Sequence, residues 1–141
     1  MLVKEIMTKK VFTIDTTDTL KEAINIMCDN NIGCLIVTKN KKVRGIITER
    51  DIMRCIAQGI IEYADETEVS VVMTHYTISI GPEQKIEKAI ELIKKYKIKK
   101  LPVIDNSEKL VGIITASDIV LQKPEIVEKL TKKFSEDVKK V

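Results

Sequence analysis

The sequence predicts a mixed α/β (α+β) protein: two β-α-β-β-α halves packed about a pseudo-twofold axis, followed by a C-terminal helix. Three observations carry that expectation. "GIITERD" from Gly45 to Asp51 recurs as "GIITASD" from Gly112 to Asp118, 67 positions later. Apolar residues at helical spacing alternate with short apolar runs bounded by polar turns, in the same order in each half. A half of about 55 residues could hardly bury enough surface by itself, so the two halves need each other.

The elements follow from the N-terminus. "IMTKKVFTIDTTDTLKEAINIM" from Ile6 aligns with "VMTHYTISIGPEQKIEKAIELI" from Val72 at an offset of 66, which becomes 67 at the glycines after one inserted residue. The extended stretches Val11–Ile14 and Thr77–Ile80 open the two halves. Each leads into a helix, marked by Leu20, Ala23, Ile24 and Met27 in the first half and by Ile86, Ala89, Ile90 and Ile93 in the second. Asp18 is the expected N-cap of the first helix. Strands Cys34–Thr38 and Val43–Thr48 flank the polar turn "KNKK", and Leu101–Ile104 and Leu110–Thr115 flank "DNSEK". A second helix starts after each threonine. The expected organisation is a first unit over 1–58, a linker over 59–68, a second unit over 69–122 and a tail over 123–141. In that tail Ile126, Leu130, Phe134 and Val138 recur every four residues, an amphipathic helix with Pro124 in its first turn.

Composition narrows the function. Of 141 residues 44% are apolar but only 4% aromatic, with no tryptophan, so the core must be Ile, Val, Leu and Met. Net charge is only +3: residues 1–66 balance, and 67–141 carry the excess. Nucleic-acid binding is therefore not expected, although "KKYKIKK" (Lys94–Lys100) is locally basic, because stacking aromatics are scarce. Cys28, Cys34 and Cys55 form no CxxC pair, and with a lone His75 no metal site of known spacing can be written. Reduced thiols in apolar surroundings suit a cytoplasmic protein. No apolar run approaches the ~18 residues of a membrane span, and no signal-peptide core is present, so no membrane partner is expected. Neither a Ser/His/Asp order, a GxxxxGK[ST] loop nor a GxGxxG turn occurs, so no enzyme activity, catalytic residue, cofactor or metal is expected.

The repeated Thr-x-x-Asp has two readings. Thr48 with Asp51, and Thr115 with Asp118, fit a capping box, with threonine as N-cap and an acidic side chain three residues on, worth ~1 kcal/mol each. The same groups also suit a nucleotide. A helix start following a strand is a natural anion site, and a carboxylate there can accept both hydroxyls of a ribose.

The paired halves resemble a tandem of CBS domains, the regulatory module named after cystathionine β-synthase. The likeness rests on "IMT" ("VMT" in the second half), a helix, a strand that reads "LPVID" (Leu101 to Asp105) in the second half and "CLIVT" in the first, and "GIIT..D", in the same order in each half. The resemblance implies two adenosine-type sites, each composed from both halves, and a homodimer. Carried over by position, site one takes Thr48, Asp51, Thr77, Ile78, Ile98, Lys99 and Lys100. Site two takes Val11, Phe12, Ile32, Gly33, Cys34, Thr115 and Asp118. The apolar members would cover the adenine faces.

The two sites differ in charge. "KIKK" precedes the second half's strand, where "NIGC" precedes the first half's. Lys99 and Lys100 are thus phosphate candidates for site one, whereas Lys94 and Lys95 offset a helix dipole and Arg50 and Arg54 are assigned to a solvated helix face. His75, just past Met-Thr, is expected to lie on the surface or behind the site residues rather than to be catalytic. Site one is expected to prefer AMP, ADP or ATP. Site two stays empty or takes a ligand of little negative charge, such as S-adenosylmethionine or methylthioadenosine. The resulting expectation is a non-catalytic sensor whose ligand-driven change is read by a separate regulated protein. The alternative is a protein-interaction or dimerisation module with vestigial ligand sites, in which Thr-x-x-Asp is only a cap.

Overall fold

A computed structural model describes residues 1–75 and 78–122. The expected C-terminal helix over 123–141 lies outside the described residues, as does Thr77. The elements are α1 (Val3–Ile6), β1 (Thr13–Asp15), α2 (Leu20–Asp29), β2 (Cys34–Lys39), β3 (Lys42–Thr48), α3 (Glu49–Ala57), a 3-10 turn (Ile60–Tyr63), α4 (Val69–Val72), β4 (Thr74–His75), α5 (Ile86–Tyr96), β5 (Lys100–Ile104), β6 (Leu110–Thr115) and α6 (Ala116–Gln122). Among the described residues the chain thus has the expected mixed α+β class, with a four-stranded and a two-stranded sheet.

Local chemistry explains most boundaries. The β2–β3 hairpin turns at Asn40 and Lys41, both with positive φ (52° and 67°). That geometry matches the twist of the flanking strands, and asparagine adopts it more readily than most side chains. Helix α2 corrects one expectation: its N-cap is Thr19, not Asp18. Thr19 accepts from the Glu22 amide at 3.2 Å, and the Glu22 carboxylate accepts from the Thr19 amide at 3.1 Å. Asp18 has Lys21 three residues on and cannot form that reciprocal pair; it accepts from the Asp15 amide at 3.0 Å and closes the turn after β1.

The four-stranded sheet has the order β1-β2-β3-β4. β1 runs parallel to β2, β2 antiparallel to β3, and β3 antiparallel to β4. The β5–β6 pair is extended in the same way by single bridges: Ile80 joins Val103 in parallel, and Thr8 joins Ile113 antiparallel. The repeat is equally visible in the core. Val3 and Val69, Ile14 and Ile80, Leu20 and Ile86, Ala23 and Ala89, Leu35 and Leu101, and Val37 and Val103 are matched pairs, and all are buried.

The chain folds as two compact units. One holds Met1–Lys9, Ser79–Ser107 and the described residues from Val111 on; the other holds the described residues of Lys10–Ile78 with Glu108–Leu110. The short segment that leads each sequence repeat therefore packs with the body of the other repeat. Hydrogen bonds show the exchange. In one unit the Val3 amide donates to Gln84 O at 2.8 Å and the Ile86 amide to Met1 O at 3.1 Å; in the other, Val69 donates to Asp18 O and Leu20 to Thr67 O, both at 2.8 Å. Within 59–68, Ile60–Tyr63 form the 3-10 turn and Ala64 is buried.

Candidate functional site

Each Thr-x-x-Asp lies where a strand becomes a helix. Thr48 ends β3 and N-caps α3; Thr115 ends β6 and is followed by α6. Both capping boxes form. The Asp51 amide donates to Thr48 Oγ1 at 3.3 Å, and Asp51 Oδ2 accepts from the Thr48 amide at 2.9 Å. In the second copy the corresponding distances are 3.1 and 3.0 Å. The first amide of each helix is also used, by Glu49 to Gly33 O at 3.1 Å and by Ala116 to Lys99 O at 3.0 Å. Two helix-start donors in each copy are therefore already paired inside their own unit, which leaves less for an anion than the sequence implied.

The glycines of the motif have a steric reason. A Cβ at Gly45 would lie 2.6 Å from Thr74 O and 2.7 Å from Met73 Sδ. At Gly112 it would lie 2.9 Å from Thr8 O and 2.7 Å from Met7 Sδ. The repeated Met-Thr and the repeated glycine are thus one device: glycine lets the Met-Thr segment pass against the strand. That segment also delivers a hydroxyl. Thr74 Oγ1 donates to Asp51 Oδ1 at 2.9 Å, whereas Thr8 Oγ1 lies 3.4 Å from both oxygens of Asp118.

The two aspartates differ in setting. Asp51 is 2% exposed, and its Oδ1 also accepts from the Arg54 guanidinium at 3.1 Å. Arg54 corrects the expectation of a solvated face: its side chain is 55% exposed, but its head is tied to Asp51. The matching position in the second copy is Leu121, and Asp118 is half-buried. Sequence reasoning missed Thr8 and Thr74 as partners of the motif, although their recurrence at an offset of 66 was visible.

The remaining expected site residues are distributed over both units. With Thr48 and Asp51, one unit holds Val11, Phe12, Ile32, Gly33, Cys34 and Ile78, all six half-buried. Cys34 stands opposite Thr48 in the β2–β3 register. Phe12 and Ile32 pack on that unit's core, and Lys10 Nζ lies 5.5 Å from the Phe12 ring centroid. The other unit holds Ile98, Lys99 and Lys100 with Thr115 and Asp118. Lys100 opens β5 half-buried, Lys99 is exposed, and Ile98 is half-buried with its amide donating to Ile93 O at 3.2 Å.

Three further groups border the motif. Cys55 is buried one turn beyond Asp51, and desolvation, with the Asp51 charge adding to it and Arg54 opposing, pushes its thiol pKa up. Cys28 corrects the expectation of apolar surroundings, because it is exposed. A cavity of about 330 Å³ opens between α2 (Ile24, Met27, Cys28), Ile32 and α3 (Glu49, Ile52), with Glu49 of the first Thr-x-x-Asp in its wall. His75 is exposed on β4. Among the described residues no group of three or more His, Cys, Asp or Glu is placed to hold a metal ion, and no helix is long and apolar enough to cross a membrane.

Comparison with known proteins agrees with this architecture. The chain is 34% identical over 120 residues to the CBS domain-containing protein YhcV of Bacillus subtilis, covering 84% of this chain and 83% of that protein. It is 37% identical over 118 residues to inosine-5'-monophosphate dehydrogenase of Methanocaldococcus jannaschii, but spans only 22% of that enzyme. It superimposes on the CBS domain pair of protein MJ0100, solved with 5'-methylthioadenosine and S-adenosyl-L-methionine, with a TM-score of 0.72 and 30% identity over 84% of this chain and 96% of that one. The CBS domain profile matches twice, over residues 3–58 and 68–123, the same two stretches in which the doubled glycine, threonine and aspartate recur, and the chain therefore belongs to the CBS domain family as a pair of CBS domains.

Proposed function

We propose that this CBS pair is a non-catalytic regulatory module that binds adenosine-containing ligands through its two Thr-x-x-Asp motifs and acts in the cytoplasm on a separate protein. One observation supports this above the rest. Two equivalent strand-to-helix aspartates recur in a chain 30% identical to a CBS pair solved with methylthioadenosine and S-adenosylmethionine. The proposed residues are Thr48, Asp51, Thr77, Ile78, Ile98, Lys99 and Lys100 for a charged nucleotide, and Val11, Phe12, Ile32, Gly33, Cys34, Thr115 and Asp118 for a ligand of low charge. A homodimer is proposed with them, on the resemblance alone.

Isothermal titration with AMP, ATP, S-adenosylmethionine and methylthioadenosine tests the reading. Asp51→Ala should remove AMP binding and Asp118→Ala should spare it; the reverse would reassign the charged ligand. Replacing Lys99 and Lys100 together by alanine should weaken AMP about tenfold and flatten its salt dependence, as expected for one lost charge-assisted contact. Unchanged affinity and salt slope would remove the lysines from the site.

A second reading is favoured by the pairing at the motif, since both aspartates act as caps and Asp51 has further partners of its own. In that reading the chain is an interaction module with vestigial sites. Absence of heat and of thermal shift with every adenosyl ligand would select it.

A further inference from the structure

The carboxylate of Asp51 is saturated inside its own unit. An ionised carboxylate offers about four lone-pair positions. On Oδ2 it accepts from the Thr48 amide at 2.9 Å and from Thr48 Oγ1 at 3.0 Å. On Oδ1 it accepts from Thr74 Oγ1 at 2.9 Å and from Arg54 at 3.1 Å. Four donors fill the four positions, and only 2% of the residue is exposed. Asp118 has the same cap but no guanidinium, because position 121 is leucine, and its threonine stands at 3.4 Å.

The two donors on Oδ1 differ in kind from those on Oδ2. The Thr48 pair is the helix cap, and losing it exposes the start of α3. Thr74 is exposed and the Arg54 side chain is 55% exposed, so both heads can turn to water when displaced. A ribose diol brings two hydroxyl donors, the number that Oδ1 now accepts. Thr74 belongs to β4, which is held to β3 by the Ile46–Thr74 and Gly45–His75 pairs. Its hydroxyl is therefore a clip between β4 and the head of α3.

We propose that Thr74 and Arg54 form an internal plug on Asp51, which a ribose diol must displace to use this carboxylate, so that ligand binding there unclips β4 from α3. This rests on the adenosine-ligand reading above. The plug makes Asp51 the weaker acceptor in the resting chain, and its release gives occupancy a mechanical consequence in the segment leading to the second repeat.

The test uses 5'-methylthioadenosine, whose lack of a phosphate keeps the lysines out of the measurement, in an Asp118→Asn background that removes the other candidate acceptor. Titration calorimetry would compare that background with Arg54→Leu, which copies position 121, with Thr74→Val, and with both together. The plug predicts affinity rising about tenfold in the double variant and by less in each single one. Unchanged or weakened affinity, or no methylthioadenosine binding in any variant of this background while the wild type binds an adenosyl ligand, overturns the plug and leaves the adenosine reading standing. Absence of binding in every variant and in the wild type, for methylthioadenosine and for AMP and S-adenosylmethionine alike, overturns both. Should the double variant fail to melt cooperatively, Arg54→Leu alone decides, because it changes an exposed helix face.

Discussion

Asp51 and Asp118 occupy matched positions in the repeat, yet their side chains live in different surroundings. Asp51 holds its helix cap, a hydroxyl from 23 residues away and a guanidinium. Asp118 holds a cap and two long contacts to one threonine. Truncating each to alanine should separate these settings. Asp51→Ala should destabilise the chain by about 2–3 kcal/mol, the sum of a cap and buried hydrogen bonds. Asp118→Ala should cost about 1 kcal/mol, a cap alone. Urea denaturation of the two variants measures the difference, and equal losses would mean that Thr74 and Arg54 add nothing to the resting state. The capping half of this arrangement was legible in the sequence, because Thr-x-x-Asp is a signal contained within four residues. The Thr74 and Arg54 half was not. Arginine three residues beyond an aspartate reads equally well as solvated, and only the burial of Asp51 decides otherwise.

The strand-to-helix element depends on the glycine as much as on the threonine. Gly45 and Gly112 sit where a Met-Thr segment crosses the strand, with backbone oxygens 2.6 and 2.9 Å from where a Cβ would be. Backbone oxygens within a paired strand cannot swing aside as a side-chain end can. Gly45→Ala and Gly112→Ala should therefore each destabilise by about 1–3 kcal/mol, as overpacking does. The larger loss is expected at Gly45, whose opposing carbonyl is nearer. A thermal melt unchanged in both variants would show that the segment is not held against the strand. Helices and hairpins were readable at this scale, from apolar spacing and polar turns. The cap of α2 was misplaced by one residue because Asp18 and Thr19 are both good caps, and only Thr19 has a glutamate at the third position to return the bond.

Across the whole molecule, the repeat and the compact unit are different stretches of chain. Met1–Lys9 is grouped with the body of the second repeat, and Val3, fully buried, is its anchor. Deleting Met1–Lys9 should strip hydrogen-exchange protection from the Ile86 and Ile113 amides, which donate to Met1 O and Thr8 O. Leu20, whose amide donates to Thr67 O, should keep its protection. Loss confined to the first repeat would contradict the exchange of leading segments.

By itself the sequence determined the mixed α+β class, the main helix and the hairpin of each repeat and the CBS kinship, because periodicity, caps, turns and a doubled motif are written within short windows of chain. The short helices Val3–Ile6 and Val69–Val72 and the strand Thr74–His75 were not among its expectations. Only the tertiary structure decided which repeat each Met-Thr segment serves, why the motif begins with glycine, and how full the Asp51 carboxylate is. Those depend on contacts such as Thr8 with Asp118, separated by 110 residues, and on Thr74 with Asp51. No local pattern records them. They arise because a leading segment too short to bury its own valine gains a strand to pair with, and its threonine a carboxylate to donate to, only on the body of the other repeat.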